Sequence, residues 1–219
     1  AVVSAVGAAL AEKKIYIADG HHRYGTALNY RDWLAEQKGG SLPEDHPAQY
    51  VMMVLGSMDD PGSLIIAYNR ALANVELDTV LDAWGPGVEV VEDGEADIRL
   101  VDQTGQREVR LRFTDRGKLR QLEPDRVEPW YELDAAYLHR YLIEELLSGK
   151  LGRDPQVRYV KSKQNALATA KDENGVALLL NPTPMSHLRA VSEAGGLMPQ
   201  KSTYFYPKLA TGITINPLY

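Results

Sequence analysis

Between residues 87 and 122 the chain is cut into short segments of alternating polarity, "GVEVVE", "ADIRLVD", "REVRLRF" and "KLRQLE", parted by "DG", "QTGQ" and "DRG". Successive side chains of a strand point to opposite faces, so alternation of apolar and polar residues marks a sheet with one wet face. A glycine at each break allows the tight reversals that bring neighbouring strands back antiparallel. This stretch predicts an antiparallel β-meander of about four strands.

The flanks read differently. "VVSAVGAALA" at 2–11 predicts a helix of small apolar residues, and "KIYIA" at 14–18 alternates like a strand. Residues 21–37 predict a helix with Tyr24, Ala27, Leu28, Leu34 and Ala35 on one face, ended by Gly39-Gly40. "SLPEDHP" is a loop, "AQYVMMVLGSM" at 48–58 an apolar run suited to a strand buried on both faces, and "DDPG" at 59–62 a turn. "SLIIAYNRAL" reads as a strand running into a helix. From Leu133 the pattern is helical through "LDAAYLHRYLIEELL", with Gly149 as the stop. "QVRYVKS" is a strand, "KQNALATAKDE" a helix, "GVALLLN" a strand, and a helix runs from "NPTP" to about Glu193; the tail has no helical period. Strands and helices in mixed order give an α+β class, a mixed sheet with flanking helices beside the meander. The segments 1–72, 73–132 and 133–219 are expected to form one composite domain.

Composition narrows the functions. With 24 basic against 30 acidic residues the net charge is −6, which argues against a general nucleic-acid surface. There is no cysteine, so disulfides, thiolate nucleophiles and sulfur-held metals are excluded. No apolar run reaches the roughly 20 residues that span a bilayer, and the default compartment is the cytoplasm. The chain starts at Ala1 with no methionine before Met52, which predicts a fragment or a processed form.

A first chemical cluster lies in "IADGHHRYGTA" at 17–27, at Asp19 to Arg23. A helix starting at His21 leaves its first N–H groups unpaired and partly positive. Gly20 permits close approach, Arg23 adds a forked pair of donors, and His21 and His22 add more. Together they can seat a phosphate or carboxylate. The structural alternative is that Asp19 is the helix N-cap and competes for the same donors. Adjacent helical histidines point about 100° apart, so chelation of one zinc by both is disfavoured.

A second cluster lies in the tail, where Lys201, Ser202, Thr203 and Lys208 are interleaved with Tyr204 and Tyr206. "GGLMPQKST" nearly spells a phosphate-binding loop, but Gln200 stands where glycine precedes the lysine, and Pro199 stiffens the loop. The lysines remain good point-charge partners for an anion; their alternative is solvation, with the aromatics packed. Asp59 and Asp60 can hold magnesium through oxygen, although a turn is the more ordinary role. Arg70 can reach a pocket or cap a helix, and His139 and His187 read as packing or surface residues.

"IADGHHRYGTA" and "MPQKSTYFYPK", with "MDDPG", "LDAAYLH" and "NPTP", closely resemble the bacterial and archaeal DUF 1015 family, over Ile15 to about Thr214. That resemblance implies that members are longer and that this chain is the C-terminal half or more. Where the family often has a histidine before the arginine following "DDPG", this chain has Asn69 before Arg70, which could replace only its hydrogen bonding. Gly20-His21-His22-Arg23 also resembles the phosphate-binding turn of the ParB, sulfiredoxin and free-serine-kinase fold. Sulfiredoxin chemistry is ruled out, because His21 stands where its cysteine would be.

These resemblances imply a protein that binds nucleotide or phosphate, with phosphoryl transfer to a small hydroxyl metabolite as its chemistry. Asp19, His21 and His22 would be catalytic. Gly20, His22, Arg23, Lys201, Ser202, Thr203 and Lys208 would hold phosphate, between the helix start and the tail. Asp59, Asp60, Asn69, Arg70, Tyr204 and Tyr206 are further candidates. ATP or ADP with magnesium, on Asp19 or Asp60, would be the cofactors; zinc and haem are not expected, and neither nucleic acid nor membrane is an expected partner. A nucleotide-responsive switch without turnover and a phosphate-ester hydrolase are the alternatives.

Overall fold

The computed structural model describes residues 2–210, 212–213 and 215–218; Thr214, where the resemblance ends, lies outside them. The chain divides into two compact units, residues 1–60 with 207–219, and residues 61–206.

The first unit carries α1, Val2–Leu10, and α2, His21–Gln37. No residue of α1 is buried. The expected apolar face of α2 is half-buried at Tyr24, Ala27, Leu28, Leu34 and Ala35. Gly39 and Gly40 take φ of 95° and 109°, and the Gly40 N–H returns to the Ala35 carbonyl at 2.8 Å, closing the helix as glycine allows. A 3₁₀ turn, Pro47–Gln49, is capped by the His46 ring, whose Nδ1 accepts from the Ala48 N–H at 3.1 Å.

The strands expected at 14–18 and 48–58 are not formed, and Ile15, Met52, Val54 and Leu55 are each half or more exposed. Alternation and apolarity make a segment competent for a sheet, but a strand exists only through its neighbour's hydrogen bonds. No strand occurs among the described residues of this unit to supply them.

The second unit contains β1, Leu64–Ile66, β2, Asn69–Ala73, α3, Leu77–Trp84, β3, Val88–Val90, β4, Ile98–Val101, and β5, Glu108–Phe113. Then come α4, Gly117–Leu122, α5, Asp134–Ala136, a π-helical stretch, Tyr137–Leu147, and α6, Ser148–Leu151. β6, Gln156–Val160, α7, Lys163–Asp172, β7, Val176–Leu180, α8, Met185–Glu193, and β8, Tyr204–Tyr206, complete it. The α+β class is observed. Six strands form one sheet in the order β3-β5-β4-β7-β2-β6, and every pairing in it is antiparallel. β1 pairs with β8, also antiparallel, setting Ile66 opposite Tyr204.

β7 explains how the sheet is sandwiched. All of its residues are buried. Val176, Leu178 and Leu180 join Leu72, Trp84, Leu100, Leu119, Tyr137 and Leu142 in the larger core, on the face covered by α3, α4 and the π-helical stretch. Ala177 and Leu179 face the other way, against Ala166 and Ala170 of α7. Each large apolar side chain so buried contributes about 1.5–3 kcal/mol. Tyr137 keeps its polar end paired, donating to the Gly87 carbonyl at 2.8 Å while its ring stacks on Phe113.

Further expectations need correction here. "NRAL" does not run into a helix but is part of strand β2, paired with β6 and β7. "KLRQLE" is the helix α4, because Leu119 and Leu122 share a helical face and the Asp115 carboxylate accepts from the Gly117 N–H at 3.0 Å. β3 lies beside β5, not β4, so the remaining strands are not a sequential meander. The helical run also passes Gly149 and stops at Gly152, which takes the left-handed φ of 65°. Among the described residues no helix is long and apolar enough to cross a membrane.

Gly175, just before β7, lies so close to β2 that a Cβ there would collide with the Leu72 carbonyl oxygen. Gly175→Ala is expected to destabilise the protein by about 3 kcal/mol in urea unfolding; an unchanged midpoint would disprove this packing.

Candidate functional site

In the first unit, α2 starts from Gly20 at φ 85°, a conformation natural to glycine. Arg23 turns back over it, so that a Cβ at residue 20 would stand 2.9 Å from the guanidinium Nη2. No side chain caps this helix start. Asp19 is therefore not the N-cap that the structural alternative required. Its carboxylate is directed elsewhere: Oδ1 accepts from Lys208 Nζ at 2.8 Å and Oδ2 from Arg23 Nη2 at 3.2 Å.

The hydrogen bond from Lys208 is the largest cause holding the Asp19 carboxyl below the usual carboxylate range. Partial burial works against it, and the charges of Lys208 and Arg23 and the Gly20 N–H add to it. Asp19 is thus an anion at neutral pH. Both ion pairs are largely solvent-exposed, and such pairs are typically worth less than about 1 kcal/mol. They hold the cations in place yet can be exchanged cheaply. His21 and His22 are exposed on the first turn, and the His22 carbonyl accepts from Thr26 Oγ1 at 2.8 Å.

The remaining candidates are distributed as follows. Lys208 belongs to the first unit and meets Asp19 there, whereas Lys201 to Tyr206 belong to the second. Asp59 and Asp60 are exposed in a turn that Ser57 opens, its hydroxyl accepting from the Asp59 N–H at 3.2 Å. Among the described residues no three His, Asp or Glu side chains gather as a metal site. Ser202 is buried and spends its hydroxyl on the Pro199 carbonyl at 2.6 Å, a structural bond rather than a ligand contact. Asn69, also buried, accepts from the Leu180 N–H at 3.3 Å and so serves the sheet.

Arg70 is the unexpected centre of the second unit. It is 1% exposed on β2, a strand with no exposed residue. Nε donates to His139 Nε2 at 2.9 Å, Nη2 to the Lys201 carbonyl at 3.0 Å, and Nη1 to the Tyr68 carbonyl. The Tyr159 ring lies 5.4 Å beneath the guanidinium and stacks on the His139 ring at 5.5 Å. Accepting through Nε2 leaves the His139 proton on Nδ1. Burial, helped by the Arg70 charge, pushes His139 down to about 4, and burial alone brings Arg70 down to about 10, still protonated at neutral pH. His139 and Tyr159 also line a cavity of about 420 Å³ with Ile143, Glu144, Ser148 and Asp154.

In the sequence His139 reads as a packing or surface residue, and nothing singles out Tyr159 or Lys161. The one available signal was a polar pair, Asn69-Arg70, inside an otherwise apolar run.

A family described as "Protein of unknown function (DUF1015)" matches residues 1–177, which include "IADGHHRYGTA" and "LDAAYLH" but not the tail. No curated protein matches the chain. Similar solved structures include free serine kinase in complex with AMP, and a mutant of it in complex with ADP, each at 18% identity and TM-score 0.45, covering 86% of this chain and 66% of that one. A conserved hypothetical protein from Pyrococcus furiosus is similar at 18% identity and TM-score 0.46, covering 86% and 68%. The chain spans just under two thirds, 66%, of the length of the free serine kinase structures. At such identities and scores no residue role transfers.

Two measurements check the electrostatics. Lys208→Ala should raise the Asp19 pKa toward its ordinary value, followed by carbon-detected NMR; an unmoved titration would remove the pairing. His139, depressed when folded, adds stability that is fully present above its unfolded value of 6.5 and is lost as pH falls toward 4. Between pH 7 and 5 the wild type should therefore lose roughly 2 kcal/mol more than His139→Gln. Parallel pH profiles would show that the ring is not buried neutral.

Proposed function

The chain belongs to the DUF1015 family, whose description assigns no activity, and we propose that this member binds the phosphate of a nucleotide at the start of α2 and transfers a phosphoryl group to a small hydroxyl metabolite. The observation that carries the reading is a long helix whose start no side chain caps, with a guanidinium folded over its glycine. Such a start offers N–H donors and partial positive charge to an anion.

Asp19 at present acts as the internal anion of this seat, balancing Lys208 and Arg23. A phosphate of higher charge exchanges with it: oxygens of the phosphate take the first-turn N–H groups, the Arg23 fork and the Lys208 ammonium, with His22 adding a donor. The released carboxylate stays ionised and accepts the hydrogen bond of the acceptor hydroxyl, which orients that oxygen at phosphorus. The new P–O bond forms as the bond to the nucleotide's leaving phosphate oxygen breaks, and the bonding pair departs with that oxygen. The hydroxyl proton passes late to Asp19. A carboxylate held below its usual range is a weak base, but a loose phosphoryl transition state asks mainly for positioning and charge neutralisation.

Magnesium would arrive on the nucleotide's phosphates and neutralise their charge, and a single carboxylate such as Asp19 is an ordinary protein contribution to such an ion.

The test is incubation of the chain with ATP, ADP or CTP, magnesium and a pool of amino acids and sugars. Nucleotide-dependent consumption of one acceptor supports transfer. Stabilisation without turnover makes the protein a nucleotide-responsive switch, and hydrolysis of phosphoserine-like esters without nucleotide makes it a hydrolase. Arg23→Ala is expected to abolish ligand-induced thermal stabilisation with an unchanged circular dichroism spectrum; an undiminished shift would take the turn out of the mechanism.

A further inference from the structure

We propose that the second unit carries an anion site of its own, built on buried Arg70 and completed by Lys161 and Lys201, which stand over the paired rings of Tyr204 and Tyr68, and that it takes a diphosphate group. The proposal is independent of the seat at α2.

The first reason is the charge of Arg70. Removing a guanidinium from water costs several kcal/mol, normally offset by a carboxylate. Here its acceptors are an imidazole nitrogen and two backbone carbonyls, all neutral. These bonds engage each of its three nitrogens without cancelling its charge. Arginines elsewhere in the unit do pair with acids: Arg112 with Glu89, Arg120 with Glu128 and Arg158 with Glu173. Arg70, Lys161 and Lys201 form no ion pair among the described residues, although acidic residues outnumber basic ones, 30 to 24. Three uncompensated cations in a negatively charged molecule make a local positive field.

The second reason is placement. Arg70 ties down the two backbone segments that carry the other groups, through the carbonyls of Tyr68 and Lys201. Lys201 is held at φ 57°, left-handed for a residue with a Cβ. Its Nζ stands 5.6 Å from the centre of the Tyr68 ring. Tyr68 meets Tyr204 edge to face at 5.6 Å, and Lys161 Nζ stands 4.8 Å from the Tyr204 ring. The β1–β8 pairing and the β2–β6 pairing fix the strand ends from which Tyr204 and Lys161 project. Both ammonium groups are on exposed residues, so an incoming anion can reach them. Two ammonium groups on a pair of aromatic rings beside a buried guanidinium suit a multiply charged anion better than a single carboxylate, and lysine is a common point-charge partner for phosphate.

Arg70 variants could fail to fold, so the test rests on the exposed lysines and is made in Arg23→Ala protein, which disables the seat in the first unit. Calorimetric titration with pyrophosphate should show binding in that background, and adding Lys161→Ala and Lys201→Ala should weaken it at least tenfold with the thermal midpoint retained. ADP binding as tightly as pyrophosphate and competing with it would identify the diphosphate of a nucleotide; pyrophosphate binding alone would identify the free anion. No pyrophosphate binding in the Arg23→Ala protein, or binding indifferent to the two lysines, overturns the proposal. Failure of the seat at α2 reads out separately, as a nucleotide response in Lys161→Ala, Lys201→Ala protein that adding Arg23→Ala leaves intact.

Discussion

The antiparallel ladder that joins β4, β7 and β2 is the constraint on which the second unit depends. β7 lies inside this ladder with every residue buried, so both of its faces must be covered. Large side chains on one face select the thick layer of α3, α4 and the π-helical stretch, while Ala177 against Ala166 and Ala170 lets α7 approach closely on the other. Gly175 brings the chain into this position against the backbone of Leu72, where no side chain fits. The same ladder carries Arg70 into the interior, two residues before Leu72 on the same strand.

A buried arginine in such a strand changes what surrounds it. The π-helical stretch delivers His139 to its Nε, and β6 delivers Tyr159 beneath both groups. π-helical geometry is uncommon and tends to occur at functional sites, which agrees with a charge kept in the core at a cost. The exposed ion pairs of Asp19 with Arg23 and Lys208 are the opposite case. There the charges balance, water screens them, and the arrangement is held by little energy. One unit stores a charge that is costly to hold, and the other keeps charges that are cheap to rearrange.

Local signals in the chain reached different depths. The helix at 21–37 was legible to the residue, because a glycine start, a long polar–apolar period and a double-glycine end all act within a few turns. The strands 156–160 and 176–180 and the helix between them were readable to within about two residues at their ends. "KLRQLE" was misleading because it follows three alternating segments, yet its leucines, three apart, share a helical face and would fall on opposite faces of a strand. "KIYIA" and "YVMMVL" carried strand composition without partners, and composition alone does not pair. At the candidate sites, the residues of the "GHHR" turn were legible because they act as neighbours. His139 was not, because its partner Arg70 lies 69 residues away.

By itself the sequence determined what is local: an α+β class, a helix with an open start at Gly20, cations in the tail, and the exclusion of all thiol chemistry. It pointed to an anion seat where hydrogen-bond donors are sequence neighbours. Only the tertiary structure decided which charges meet. It turned Asp19 away from capping its own helix toward Lys208, 189 residues distant, and brought His139 and Tyr159 against the buried Arg70. The physical reason is that helix starts and turns are governed by interactions within a few residues, whereas the neutralisation of a charge depends on whatever the folded chain brings within a few ångströms.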